Sequence, residues 1–142
     1  RPPRSTQGVS SAASDVYKRQ DIEAARQNLI NLATKKGLDP SRLIFARHVE
    51  RDQYLARYRV VDLFLDTLPY NAHATTSDAL QVGLPVLTQI GASFASRVAA
   101  SLISSVDMME LITESQEQYE ELAIELATNT EKLQKITRHC KN

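Results

Sequence analysis

The chain has 142 residues and carries 17 basic and 17 acidic side chains, so its formal net charge is zero. That balance argues against a protein that coats nucleic acid, whose mark is a basic excess, and no apolar run approaches the roughly 20 residues of a membrane-spanning helix. Cys140 is the single cysteine, which excludes an internal disulfide and, with no signal-peptide pattern, sets the expectation of a reducing, cytoplasmic setting.

Residues 1–20 are rich in Arg, Pro, Ser, Gly and Gln. With almost nothing to bury, they are expected to form a disordered or foreign tail, and Ser10–Gln20 looks like translated vector or adaptor sequence. One domain is expected over 21–142. Ile22, Ala25, Leu29, Leu32 and Ala33 recur at helical spacing, with Gly37 as the stop. Leu43–Phe45 reads as a short buried strand, Arg51–Tyr58 as a short helix and Val60–Leu65 as the strongest strand. Thr76–Val82 is helical and closed by Gly83. Pro85–Thr88 is a further strand, and Phe94, Val98 and Leu102 mark the apolar stripe of the next helix. A fourth strand is expected at Leu111–Ile112. Two tail helices follow, with capping-box spacings Ser115/Gln118 and Thr128/Glu131. The first buries Tyr119, Leu122, Ala123 and Leu126, the second Leu133 and Ile136. Strands alternating with helices imply a Rossmann-like α/β fold, a parallel sheet covered on both faces.

In such sheets ligands sit beyond the carboxyl ends of the strands. Here the strand ending at Leu65 runs into a polar loop, Asp66 to His73, and then into a helix. Backbone N–H groups and threonine hydroxyls at a helix start form an anion site, His73 is placed to donate to a phosphate, and Asp78 to accept from ribose hydroxyls. The residues alone also allow a plainer reading. Thr75, Thr76 and Ser77 are all competent N-caps, and His73 can satisfy a loop carbonyl. No glycine-rich dinucleotide motif and no Walker loop is present. The arginines Arg42, Arg47, Arg51, Arg57 and Arg59 cluster just upstream. Asp62 and Asp66 read as strand-end and loop-ordering residues rather than as a metal or catalytic pair. Met108-Met109 reads as core filling, Arg97 as a loop support or a surface ion pair, and His48, His139 and Cys140 carry no ligand pattern.

Leu63 to His73 with Thr75 to Leu80, Gly83 to Thr88 and Ala95 to Leu102 together resemble the C-terminal catalytic region of the O-GlcNAc transferase and SPINDLY-type glycosyltransferases, the bacterial members above all. The resemblance runs from about Asp21 to about Arg138. It implies the C-terminal half of a GT-B architecture, in which two Rossmann-like halves hold a nucleotide sugar between them and this half holds UDP. By position, His73, Ala74, Thr75 and Asp78 fall in the segment that meets diphosphate and ribose. Val49, Arg51, Tyr54 and Arg57 fall in the upstream segment that meets uracil, ribose and phosphates. Three departures stand out: Ala74 replaces a common threonine, and Tyr54 and Arg51 stand where the animal enzyme has His and Lys.

The resemblance implies transfer of GlcNAc from UDP-GlcNAc to Ser or Thr hydroxyls of proteins, with no cofactor and no metal. The alternatives are a non-catalytic nucleotide-binding or interaction module of the same fold, and a related N-glucosyltransferase. The family's catalytic histidine and lysine fall before Asp21. No catalytic residue is therefore assigned, the domain is expected to be partial and the isolated chain inactive, and the protein acceptor is expected to meet upstream regions. No nucleic-acid or membrane partner is expected.

Overall fold

The computed structural model describes the backbone of residues 5–7, 19–47 and 49–141, and the side chains of 23–47 and 49–141. His48 lies outside the described residues. The chain divides into two compact units, Arg1–Val9 with Glu50–Asn142, and Ser10–Val49. The division falls after Val49, not at residue 20, and Ser5–Gln7, within the segment expected to lack structure, form a strand.

In the smaller unit, α1 spans Arg19–Lys35. Gly37 adopts φ +76°, a conformation costly for any residue with a Cβ, and the chain turns there. The Leu38 N–H then reaches back to the Ala33 carbonyl at 2.9 Å. A single 3-10 turn, Pro40–Arg42, is capped by the Asp39 carboxylate, which accepts from the Ser41 N–H at 2.9 Å. The Arg26 guanidinium lies 4.7 Å from the centre of the Phe45 ring. Leu43–Phe45 is not a strand, and Ile44 is 88% exposed. An apolar triplet becomes a strand only when a neighbour pairs with it, and none of the described residues does.

The larger unit holds the sheet. Its strands are β1 (Ser5–Gln7), β2 (Leu63–Leu65), β3 (Val86–Gln89) and β4 (Ile112–Thr113), parallel and in sequence order. Thr6 pairs with Phe64, Phe64 with Val86, and Thr88 with Ile112. The helices are α2 (Arg51–Tyr58), α3 (Ala74–Gln81), α4 (Val98–Ser105), α5 (Gln116–Thr128) and α6 (Thr130–Cys140). The result is the expected Rossmann-like α/β arrangement, a parallel sheet flanked by helices. β2 is shorter than the apolar run Val60–Leu65 because the end of α2 claims its first residue. The Val60 N–H bonds the Arg57 carbonyl, and the Val60 side chain is exposed.

Leu63, Phe64, Ala79, Val86, Leu87, Ile103, Met108, Leu111 and Leu126 form the buried core, joined by Leu133 and Ile136 of α6. Met108 fills the core as expected, but Met109 is exposed. Ser115 caps α5 by accepting from the Gln118 N–H, while the Gln118 amide accepts from Glu114 rather than from Ser115. α6 is capped by Asn129, not Thr128. Thr128 is the last residue of α5, where its hydroxyl donates to the Ile124 carbonyl, and Asn129 is the residue immediately ahead of α6.

One side chain joins these elements at the carboxyl ends of the strands. Asp66, 4% exposed, accepts from the Ala72 N–H and from the Thr88 hydroxyl, each at 2.7 Å, one per carboxylate oxygen. Its backbone carbonyl accepts from the Tyr119 hydroxyl of α5 at 2.7 Å, and its N–H extends the ladder to Leu87. Thr113 of β4 then bonds the Thr88 carbonyl at 3.0 Å. The loop after β2, β3, β4 and α5 are thus tied through a single residue.

Burial pushes the Asp66 carboxyl above its ordinary value of 3.8, opposed by the bonds from Ala72 and Thr88. The folded chain therefore holds this proton more tightly than the unfolded chain. The group's contribution to stability is present in full below 3.8 and lost as pH rises through the folded value. Asp66→Asn cannot titrate. The difference in unfolding free energy between variant and wild type, measured in urea, should move in favour of the variant as pH rises from about 4 to about 7. A difference that moves the other way would contradict the assignment. In the core, Leu126→Ala should cost about 2–5 kcal/mol by the same measurement, whereas exposed Ile124→Ala should change stability by about 0.5 kcal/mol or less. Equal effects would contradict the packing of α5.

Candidate functional site

The loop after β2 is folded on itself before it enters α3. The Asn71 amide donates to the Thr67 carbonyl at 3.1 Å, and its N–H to the Ala95 carbonyl at 3.0 Å. The Leu68–Pro69 peptide is cis. Helix α3 starts two residues earlier than the residues suggested, so Thr75, Thr76 and Ser77 lie inside it and none is the cap. The cap position belongs to His73, which makes no side-chain hydrogen bond to the first turn. Its ring nitrogen Nε2 instead lies 3.4 Å from the Ala95 carbonyl, a long contact.

The hydroxyls near this helix start divide in an informative way. Thr76 is spent, donating to the Ala72 carbonyl at 2.8 Å. Among the described residues, the buried hydroxyl of Thr75, 5% exposed, has no hydrogen-bond partner, and neither does the side-chain oxygen of Asn71. A buried hydroxyl left unmatched costs about 1–3 kcal/mol. The first-turn N–H groups of a helix have no partner within it, so donors without a side-chain cap and an unmatched hydroxyl converge beyond the strand ends. Such an arrangement can hold an anion.

Arg51 of α2 reaches Asp78 of α3 at 3.0 Å, the pair being 70% and 14% exposed. An ion pair that open adds roughly 1 kcal/mol or less to stability. Its importance is positional, since it brings two of the carried-over residues together from separate helices. Tyr54, one turn along α2, bonds hydroxyl to hydroxyl with Tyr58, their rings edge to face at 4.9 Å. Burial, then the bond from Tyr54, pushes the Tyr58 phenol up. Arg57 occupies the last turn of α2. Val49 belongs to the Ser10–Val49 unit, as do Arg42 and Arg47, so the arginine run is divided between two units. The structure therefore brings Arg51 to Asp78, with His73, Ala74 and Thr75 at the start of Asp78's helix and Tyr54 and Arg57 on the helix of Arg51.

Residues that the sequence reading passed over surround His73. Tyr70 stacks on its ring at 4.9 Å and 18°. Phe94 meets the ring's edge at 6.5 Å and 87°. Phe94 was expected to mark a helix with Val98 and Leu102, but it sits in a 3-10 turn ahead of α4 and is 83% exposed. Arg97 is the N-cap residue of α4. Among the described residues, no group of three or more His, Cys, Asp or Glu is placed to hold a metal ion. Burial pushes the Cys140 thiol up.

The model of glycosyl transferase family 41 matches residues 21–142. The UDP-N-acetylglucosamine–peptide N-acetylglucosaminyltransferase of Caenorhabditis elegans is 32% identical over 107 residues, 75% of this chain and 9% of that protein. The Petunia hybrida protein "Probable UDP-N-acetylglucosamine–peptide N-acetylglucosaminyltransferase SPINDLY" is 31% identical over 119 residues, 80% of this chain and 12% of its own length. Among solved structures, a mutant of the Thermobaculum terrenum O-GlcNAc transferase superposes with a TM-score of 0.78 at 31% identity, covering 83% of this chain and 23% of that one. The chain thus spans about a tenth of the length of these curated relatives. Sequence match, parallel α/β fold and agreement with a solved relative lead to one statement: the chain belongs to glycosyl transferase family 41.

Proposed function

We propose that the larger unit is the UDP-binding half of a protein O-linked N-acetylglucosaminyltransferase, taking UDP-GlcNAc as donor and Ser or Thr hydroxyls of proteins as acceptors. The observation that carries this reading is the start of α3, where the buried Thr75 hydroxyl lacks any partner beside a helix end with no side-chain cap. The names of the relatives supply the donor and the acceptor class. When the anomeric bond breaks, negative charge develops on the departing UDP. The N–H groups of Ala74 and Thr75, the Thr75 hydroxyl, His73 and the arginines of α2 are the groups to stabilise it. Asp78 is assigned to the ribose, with Arg51 released from it or shared when the nucleotide binds. Tyr54 is assigned to the base. A cytoplasmic setting, with Cys140 reduced, belongs to the same proposal. No helix among the described residues is long and apolar enough to cross a membrane.

The proposal sets stability against binding at Thr75. Thr75→Val removes the unmatched hydroxyl and keeps the branched shape. It should raise the unfolding free energy by about 1 kcal/mol while weakening UDP by a similar amount, and leave uridine unaffected. Calorimetry and urea denaturation on the full chain test both halves of this prediction. A variant that loses stability and keeps its UDP affinity would show a purely structural threonine.

Arg51→Ala and Asp78→Ala should each weaken UDP by about 1–3 kcal/mol. Unchanged affinity in both would remove the nucleotide from this site. The chain alone is expected to bind UDP-GlcNAc without turning it over, because transfer needs the acceptor presented from the other half of the cleft. UDP release and glycopeptide formation above the protein-free control, followed by mass spectrometry, would contradict that expectation.

A further inference from the structure

Helix α2 carries a pair of phenols in direct contact, and the nucleotide reading uses only one of them. Arg51, Tyr54 and Tyr58 follow one another at spacings of three and four residues, so they share one face of the helix. That face runs from the surface to the core. Arg51 is exposed and pairs with Asp78 of α3. Tyr58, at the other end, packs against the core, and its ring meets Phe64 of β2 edge to face at 6.0 Å and 78°. Tyr54 stands between them, its ring against Tyr58 at 4.9 Å and 61° and its hydroxyl on the Tyr58 hydroxyl.

The two hydroxyls are not equivalent. A phenol donates one proton and accepts at its oxygen. Tyr58 is the one packed against the core, and a hydroxyl withdrawn from water must place its proton on an acceptor. The Tyr54 oxygen supplies that acceptor. Burial, and then this bond, hold the proton on Tyr58. Phe64, 1% exposed, fixes the Tyr58 ring from the sheet side, so the partner of Tyr54 is itself held by β2.

This order of donor and acceptor matters to a pyrimidine. Uracil, like thymine, shows a carbonyl oxygen where cytosine shows an amino group. A hydroxyl that turns freely meets either one, as donor to the first or acceptor from the second. A hydroxyl whose oxygen already accepts from a neighbour favours the first. We infer that Tyr58 is a positioning residue: it donates to Tyr54 and thereby presents the Tyr54 hydroxyl to the base as a donor, favouring a uracil carbonyl over a cytosine amino group. This rests on the assignment of Tyr54 to the base above and adds the residue that makes that contact selective.

The test compares UDP with CDP on the full chain by calorimetry. Wild type should bind UDP more tightly than CDP. Tyr58→Phe keeps the ring on Phe64 and removes only the hydroxyl, so the unfolding midpoint should stay close to that of wild type. It should shrink the preference for UDP over CDP by about two- to tenfold, the range for one hydrogen bond. Tyr54→Phe should shrink it to a similar extent. The double variant should lose little more than either single one, because Tyr58 acts through Tyr54. A purely structural Tyr58 would weaken UDP and CDP equally and leave their ratio in place. That result, beside a reduced ratio in Tyr54→Phe, would overturn the positioning role alone. An unchanged ratio in both variants would take the base away from Tyr54 and overturn the inference with it. Failure of wild type to bind either nucleotide would overturn the nucleotide reading itself.

Discussion

The site depends on a buried carboxylate. Asp66 stands where β2 ends, and each of its side-chain oxygens takes one strong hydrogen bond, from Ala72 in the loop and from Thr88 in the neighbouring strand. A charge so placed is costly to desolvate. The two hydrogen bonds, from the Ala72 N–H and the Thr88 hydroxyl, offset part of that cost. The Ala72 bond fixes the residue just before His73, and Ala72 in turn takes the Thr76 hydroxyl. The direction in which α3 leaves the sheet follows from that anchor. Tyr119 on the Asp66 carbonyl then couples the loop to α5.

The neighbourhood of that anchor is unevenly satisfied. Thr76 and Thr88 are spent, while Thr75 and the Asn71 side-chain oxygen are buried and unmatched. Folding optimised for stability alone would favour an apolar side chain at Thr75 or a capping residue at His73. Groups held ready without partners are the expected signature of a binding site, where the ligand supplies what the fold withholds.

Periodicity and turn chemistry made much of this legible beforehand. The strand before Asp66, helix Arg51–Tyr58 and the glycine stops at Gly37 and Gly83 follow from local patterns, and both glycines adopt positive φ. Leu43–Phe45 failed as a strand because pairing is not local information. Phe94 fell outside the helix it was expected to mark because that helix begins only after Arg97. Asn129 displaced Thr128 as a cap because α5 runs through Thr128, which leaves Asn129 as the residue immediately ahead of α6. Within the site, Thr75, His73 and Asp78 were readable as a loop entering a helix. That Arg51 would meet Asp78, or that Thr75 rather than Thr76 would be left unmatched, depends on packing between α2 and α3 that no short window contains.

The central claim is that the first turn of α3 receives the diphosphate of UDP. Backbone amide shifts followed during a UDP titration of the isotope-labelled chain test it most directly. The account predicts that the Ala74, Thr75 and Thr76 amides move most and shift downfield as they gain a charged acceptor, with uridine leaving them nearly in place. Shifts confined to residues away from the loop after β2 and from α2, or identical responses to UDP and uridine, would contradict it.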